Sequence, residues 1–187
     1  ENCTVSVWVK AYDNDQYVRA VDAANAGAGW QIGQSDVAGT FGFWLYDGVT
    51  NMVSADPSFN LNKWYHLVGT SNGNTAKLYV NGVNQSDEET TGNSNAGTKY
   101  ITIGQAGAGS GAGWAGDAYW NGLIDEVMIF NRSLSASEIS SLYAISALQY
   151  HHNFTGLSDA AYYYNATVVD DAGNSNSTET REITLDN

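Results

Sequence analysis

Alternating apolar and polar positions predict β-strands along most of the first 130 residues. In Thr4–Tyr12, Val5, Val7 and Val9 alternate with more polar or aromatic side chains, which is typical of a strand with one face on a core. Asn81-Gly82 is the dipeptide that favours a two-residue hairpin turn. The same reasoning predicts further strands at Tyr17–Asp22, Gly29–Gly33, Thr40–Tyr46, Trp64–Thr70, Ala76–Val80 and Tyr100–Gly104.

In the segment Leu123–Phe130, strict alternation puts Leu123, Asp125, Val127 and Ile129 on one face and Ile124, Glu126, Met128 and Phe130 on the other, so both faces can be largely covered. We therefore predict a central strand there. A helix follows, because Ser135 stands where an N-cap belongs and Glu138 stands three residues later, as in a capping box. Leu134 and Ile139 occupy the flanking staple positions, and the helix is expected to end near Tyr143.

Two motifs in this region resemble one family. The run GLIDEVMIFNRSLSASEI (122–139) resembles the last core strand and closing helix of laminin-G-like, concanavalin A-like jelly rolls, and KWYHLVGTSNGNTAKLYVNG (63–82) is similar to a hairpin of the same family. The resemblance implies an all-β concanavalin A-like jelly-roll β-sandwich with one short helix over residues 1–146. Members of that family carry an earlier strand, and this sequence begins after its position. We therefore expect the sheet to lack this strand.

The C-terminal residues 147–187 follow a different pattern. Leu148–Phe154, Ala161–Val169 and Thr178–Leu185 are predicted as three strands. The segment resembles the end of a fibronectin-type-III or bacterial and archaeal immunoglobulin-like module, with Tyr162 or Tyr164 as the corner tyrosine. Such a sandwich needs about seven strands, so this partial set of immunoglobulin-like strands leaves an open edge and an uncovered face.

Composition narrows the possible partners. The net charge is −13, from 7 Lys and Arg against 20 Asp and Glu, so phosphate backbones and anionic lipids are repelled. Nucleic acid is excluded as a partner on this ground. No apolar run reaches the length of a transmembrane helix, which argues against membrane insertion.

Export to the cell surface is predicted from the number of glycosylation sequons. Six N-x-(S/T) sequons occur, and glycosylation of such sites takes place in exported proteins. They are at Asn2, Asn84, Asn131, Asn153, Asn165 and Asn176.

Cys3 is the single cysteine and is expected to be a buried thiol. The alternative is that it pairs with a cysteine in a neighbouring segment.

Catalysis is not expected. Jelly-roll glycosidases resemble one another in an E-x-D-x-(x)-E strand that brings two carboxylates close together, and this sequence lacks that string. Asp125 and Glu126 are adjacent, so on a strand they point to opposite faces. Asp125 is expected to accept hydrogen bonds from loop backbone N–H groups.

A calcium ion is a candidate cofactor. Laminin-G-like domains often bind Ca²⁺ at a sheet edge through Asp and Asn side chains, and the resemblance makes Asp13, Asp15 and Asp117 the candidate ligands. The alternative is that these carboxylates are solvated turn residues.

A glycan site would need exposed aromatic rings, since sugar faces stack on them. The candidates are Trp30, Trp44 and Trp114, and Trp114 is the best of them because it lies in a glycine-rich run. The alternative is that these rings belong to the core.

Two functional hypotheses follow. The first is a non-catalytic, extracellular adhesive or structural module of a glycosylated microbial surface protein, archaeal sources included. Open strands at both ends suggest that it joins copies of itself or neighbouring domains by β-strand addition, forming a filament. The alternative is a lectin-like carbohydrate-binding module, calcium-dependent or not, that binds surface glycans alone or attached to a larger enzyme.

Overall fold

The computed structural model describes residues 2–24, 28–47, 50–55, 58–85, 89–90, 101–106, 119–147, 155–169 and 174–186. The chain divides into two compact units, Glu1–Leu148 and Gln149–Asn187. Most described residues of the first unit lie in antiparallel strands, with one short helix, which confirms the predicted concanavalin A-like sandwich.

The first unit contains eleven strands and one helix among the described residues. These are β1 (Asn2–Ala11), β2 (Arg19–Asp22), β3 (Ala28–Gln34), β4 (Phe41–Asp47), β5 (Thr50–Ser54), β6 (Trp64–Asn72), β7 (Thr75–Val80), β8 (Val83–Asn84), β9 (Glu89–Thr90), β10 (Thr102–Ile103), β11 (Gly122–Phe130) and α1 (Ala136–Ala147).

Two antiparallel sheets form the sandwich. The larger sheet has the order β11-β1-β6-β7-β8, with β9 also paired to β7, and the smaller sheet has the order β10-β2-β3-β4-β5. Asn81 and Gly82 have φ values of 52° and 77°, as a type I′ turn requires, so the predicted hairpin between β7 and β8 is confirmed.

The core lies between the sheets. The alternating residues Val5, Val7 and Val9 are at most 1% exposed and pack in one apolar cluster with Ile32 and Phe43 of the smaller sheet. At Gly69 of β6 the sheets approach so closely that an added Cβ would lie 2.2 Å from the Phe43 ring. The burial of these strands on one face is the direct result of their period-two pattern.

The helix α1 covers the outer face of the larger sheet. Ile139 and Leu134 are buried against Val68 and Tyr79 in a second apolar cluster. The helix begins at Ala136, directly after the predicted N-cap. It ends at Ala147 and not near Tyr143, because Ala144–Ala147 include neither glycine nor proline and the alanines favour continuation.

The second unit consists, where described, of two separate strand pairs. β12 (Ala160–Tyr164) pairs with β15 (Arg181–Leu185), and β13 (Thr167–Val169) pairs with β14 (Ser175–Ser177). The two long strands predicted at Ala161–Val169 and Thr178–Leu185 are therefore wrong in their bounds. The first is interrupted between Tyr164 and Thr167, and the second begins only at Arg181. Beside these breaks the Thr178 hydroxyl accepts a hydrogen bond from the Ala166 N–H.

The predicted immunoglobulin-like segment is described in part. The strand at Leu148–Phe154 lies outside the described residues. The Tyr162 hydroxyl donates a hydrogen bond to the Ser158 carbonyl at 2.9 Å, which ties the ring back to the preceding segment. The immunoglobulin-like assignment and the boundary at residue 146 stay predictions.

Candidate functional site

The strand β11 lies at an edge of the larger sheet. In the described residues it pairs with β1 and has no strand on its other side. The prediction of a central strand is therefore wrong. β11 carries apolar residues on both faces because one face covers the core and the other lies towards α1. Apolar residues on both faces therefore do not indicate how many strands pair with β11.

A bulge divides β11 and decides which of its side chains face the core. Glu126 has a φ of 48°, and Glu126 and Val127 together oppose Val7, because Trp8 pairs with Asp125 and Ser6 pairs with Met128. The Asp125 Oδ1 atom accepts a hydrogen bond from the Glu126 N–H at 2.8 Å, a donor in its own strand and not in the loop that was expected to provide it. The bulge shifts the alternation.

Because of this shift, Ile124 and Ile129 face the core together. Ile124 pairs with Val9 and Ile129 pairs with Val5, and both valines point inward. The predicted grouping of Ile129 with Leu123 on one face is thus wrong, since a period of two cannot be extrapolated across a bulge.

The core is open along β11. Val5 is 1% exposed on β1, whereas its neighbour Ile129 is 44% exposed on β11, and Ile124 and Val127 are only half-buried. A recess of about 470 Å³ lies beside this end of the strand. Its lining residues are Asn2, Cys3, Ile129, Phe130 and Asn131. A strand placed beside β11 would cover these apolar atoms.

The smaller sheet is open on the same side of the sandwich. Ile101 and Ile103 are 52% and 57% exposed, although Ile103 pairs with the fully buried Val21. Gly104 brings this edge to β11, since a Cβ at its position would lie 3.7 Å from Ile124 Cδ1. Core-facing isoleucines therefore border one open side between β10 and β11.

Of the predicted aromatic residues, Trp30 and Trp44 are described, and they do not form an exposed platform. Trp44 is 3% exposed and stacks on the Arg19 guanidinium at 3.8 Å. Trp30 is half-buried against the core. Trp114 lies outside the described residues.

Arg19 belongs to a buried polar network that the sequence did not reveal. Its Nε atom donates to Gln31 Oε1 at 2.8 Å, and Gln31 in turn donates to Asp22 at 2.9 Å. Tyr46 also donates to Gln31 Oε1. Burial lowers the pKa of Arg19 and raises the pKa of Tyr46. Arg19, Asp22 and Gln31 are at most 2% exposed, so the network braces the sheet and offers no open surface.

The candidate calcium ligands are only partly described. Asp13 is half-buried and accepts hydrogen bonds from the Asp15 N–H and from the Asn121 side-chain amide. Asp15 is exposed, and Asp117 lies outside the described residues. Among the residues that the structure describes, no group of three or more His, Cys, Asp or Glu side chains is placed to hold a metal ion. Calcium binding stays a prediction.

The described sequons are accessible. Five of the six asparagines are exposed, and Asn153 lies outside the described residues. The exposed ones are Asn2, Asn84, Asn131, Asn165 and Asn176. Cys3 is buried, as expected. No described helix is long and apolar enough to span a bilayer.

A serine and a histidine meet in the first unit, but no substrate can reach them. The Ser6 hydroxyl lies 2.8 Å from His66 Nε2, and both residues are fully buried. The His66 ring is stacked between Trp8 and Tyr143 of α1. Burial lowers the pKa of His66 to about 4, so the ring is neutral at neutral pH.

Comparison with known families decides the assignment of the first unit. The model of the concanavalin A-like lectin/glucanases superfamily, Laminin_G_3, matches residues 1–140. The chain belongs to this superfamily. A comparison with curated protein sequences found no match.

Solved structures agree with this superfamily fold. Domain 4 of AbnA, an extracellular arabinanase from Geobacillus stearothermophilus solved in complex with arabinotriose, is 21% identical with a TM-score of 0.62. The match covers 76% of this chain and 66% of that one. The botulinum neurotoxin type G receptor-binding domain is 19% identical with a TM-score of 0.59, over 78% of this chain and 38% of that one.

A third similar structure is a heptameric SAP-like pentraxin from Limulus polyphemus. It is 18% identical with a TM-score of 0.53, over 76% of this chain and 69% of that one. The chain thus spans less than two thirds of the arabinanase domain and of the neurotoxin domain. At these identities the likeness establishes the fold alone.

Proposed function

We propose that this chain is a non-catalytic, extracellular adhesive module that joins neighbouring domains or further copies by β-strand addition at β11. The observation that supports it is the exposure of core-facing residues on an edge strand, above all Ile129 at 44% beside Val5 at 1%. A long edge strand with apolar inward side chains is a template for pairing with another chain. Main-chain hydrogen bonds then provide affinity, and inward side chains provide specificity.

Properties of the sequence and the structure support an extracellular, non-catalytic role. The exposed sequons favour an exported glycoprotein, and those away from the recess, Asn84, Asn165 and Asn176, can carry glycans without blocking an added strand. The high negative charge keeps a surface protein soluble. The Ser6–His66 pair is buried, and the sequence lacks the paired-carboxylate string of jelly-roll glycosidases, so binding is the function that we propose.

The variant Ile129→Lys tests this proposal. A lysine at a 44% exposed position reaches solvent in the isolated chain but would be buried by an added strand, and inward charges are a common device for blocking edge pairing. We expect wild-type protein to form concentration-dependent assemblies in sedimentation velocity and the variant to remain monomeric.

A matched control comes from the helix. Ile145 is 76% exposed, so Ile145→Lys makes the same chemical change away from β11 and should leave assembly intact. Equal assembly of the wild type and Ile129→Lys would refute the proposal.

Glycan binding is the second candidate function. It is favoured by one observation, the arabinotriose bound in the arabinanase domain that shares this fold. Trp114, the predicted stacking residue, and the calcium ligands Asp13, Asp15 and Asp117 are retained as the candidate site of this alternative. A wild-type chain that stays monomeric at every concentration and binds an oligosaccharide would make this the leading function.

A further inference from the structure

The pair β12–β15, here called the ribbon, has one apolar face and no cover among the described residues. Cross-strand pairs place Tyr162 beside Ile183 and Ala160 beside Leu185 on this face. Ile183 is 48% exposed and Tyr164 is 47% exposed. An isolated two-stranded ribbon is marginally stable in water, so this face favours burial against another surface.

The strand β15 has a free side for pairing in the part of the chain that the structure describes. Its sheet contains only β12 and β15. Along β15, Arg181, Ile183 and Leu185 share the apolar face, while Glu182 and Thr184 point the other way. This is the alternation that a strand added to the open edge of a sandwich requires.

We propose that the strand added to β11 is β15 of a second copy of this chain, and that it runs parallel to β11. Ile183 then lies against Ile129, and Arg181 lies at the bulge that contains Glu126. This inference rests on the proposed function, since it names the partner for that edge. Leu185 then enters the recess beside Cys3 and Asn131.

Spacing supports this register. The bulge lies opposite Val7 and Ile129 lies opposite Val5, so the two positions are two residues apart along β1. Arg181 and Ile183 are also two residues apart, and both separations are about 6.8 Å in an extended strand. One register therefore brings Ile183 to Ile129 and Arg181 to the bulge together.

Charge decides the direction of the added strand. β11 carries two carboxylates, Asp125 and Glu126, and no lysine or arginine. In the parallel direction Arg181 lies at the bulge beside Glu126, whereas Asp125 pairs with Trp8 and points to the other face of the sheet. In the antiparallel direction with the same Ile183–Ile129 contact, Leu185 takes that place and Arg181 lies past the end of β11. The exposed Arg181–Glu179 ion pair, at 3.2 Å, costs little to exchange for a new partner.

A charge-swap experiment on the full chain tests the pairing. Arg181→Glu alone and Glu126→Arg alone each place like charges against each other, and we expect each to weaken self-association about 100-fold or more. An equimolar mixture should recover assembly, because each donor then meets an acceptor of opposite charge in both combinations. Sedimentation velocity across a concentration series measures all three samples.

Two further variants serve as a control for the charge change and as a test of the apolar contact. Lys63→Glu makes the same charge change as Arg181→Glu at another exposed position and should leave assembly unchanged. Ile183→Asp should abolish assembly without involving the bulge. Far-UV circular dichroism and the thermal midpoint establish that each variant is folded.

The outcomes separate this inference from the proposed function. If Ile129→Lys abolishes assembly but the charge swap and Ile183→Asp have no effect, β11 accepts a strand from elsewhere and our choice of donor is wrong. If the folded single variants are monomeric and the mixture fails to recover, the register is wrong. Assembly that survives Ile129→Lys overturns both ideas, as does a wild-type chain that never self-associates.

Discussion

The ionisation of His66 is strongly affected by its surroundings. It is fully buried, its Nε2 atom bonds to the Ser6 hydroxyl, and its Nδ1 atom has no hydrogen-bond partner among the described residues. A charged imidazole is poorly solvated there, so burial lowers its pKa to about 4 from 6.5.

Stability is therefore expected to fall as the solution is acidified from pH 7 towards pH 4. The unfolded chain binds a proton near pH 6.5, whereas the folded chain does so only near pH 4, so protonation favours unfolding within this window. The loss is roughly 3 kcal/mol when complete. Urea unfolding at a series of pH values measures it.

The variant His66→Phe is the control for this prediction. It keeps an aromatic ring in the stack with Trp8 and Tyr143 but removes the titrating group. We expect its free energy of unfolding to vary much less between pH 7 and pH 4. An unchanged slope in the variant would mean that other groups cause the pH dependence.

The helix α1 shows how a short sequence motif is realised as an element. The Ser135 N–H and hydroxyl donate to Glu138 Oε2 at 2.8 Å, and the Glu138 N–H donates to Ser135 Oγ at 3.3 Å. Arg132 also donates to Glu138 at 2.7 Å. These contacts satisfy backbone donors at the start of the helix, which otherwise have no partner.

Ser135→Ala is expected to lower the free energy of unfolding by about 1 kcal/mol, the usual value of an N-cap. Ser141→Ala, at an exposed position within the helix, is the matched control and should have little effect. Chemical denaturation of both variants measures the difference. Equal stability of the two would show that the cap contributes nothing.

The contribution of the helix cap to the stability of the fold also depends on pH. The hydrogen bond from Arg132, followed by those from Ser135, lowers the pKa of Glu138 to about 2. A carboxylate with a lowered pKa stabilises the fold above pH 4.5 and loses this effect as the pH falls towards 2. This window overlaps that of His66 only between about pH 4 and pH 4.5, so the two effects can be measured separately above and below that overlap.

The molecule has two units of very different burial. Every residue of the buried apolar clusters lies in Glu1–Leu148, and the described strands of the second unit are largely exposed on both faces. The first unit thus has a core of its own, whereas the second has little to stabilise it alone.

Deletion of Ala161–Asn187 should leave the thermal midpoint of the first unit unchanged and abolish assembly. The reason is that the deletion removes the ribbon but no member of the core clusters. Calorimetry and light scattering measure the two effects. Unaltered assemblies after deletion would contradict the idea that the C-terminal strands are the donor.

Local patterns were sufficient for much of this protein. Alternation predicted most strands of the sandwich, Asn81-Gly82 predicted its hairpin, and Ser135 with Glu138 predicted the start of the helix. These signals act between residues close in sequence, where backbone preference and side-chain period determine the outcome. The family resemblance then identified how such strands are arranged.

Only the tertiary structure decided which strands lie at the edges and which side chains share a face. The bulge at Glu126 moved Ile129 to the core side, and the position of β11 left that side open. Arg19, Asp22 and Gln31 likewise met across separate strands. The sequence by itself determines which residues are apolar and how they alternate, but register and strand order depend on partners distant along the chain, and these assign each residue its neighbours.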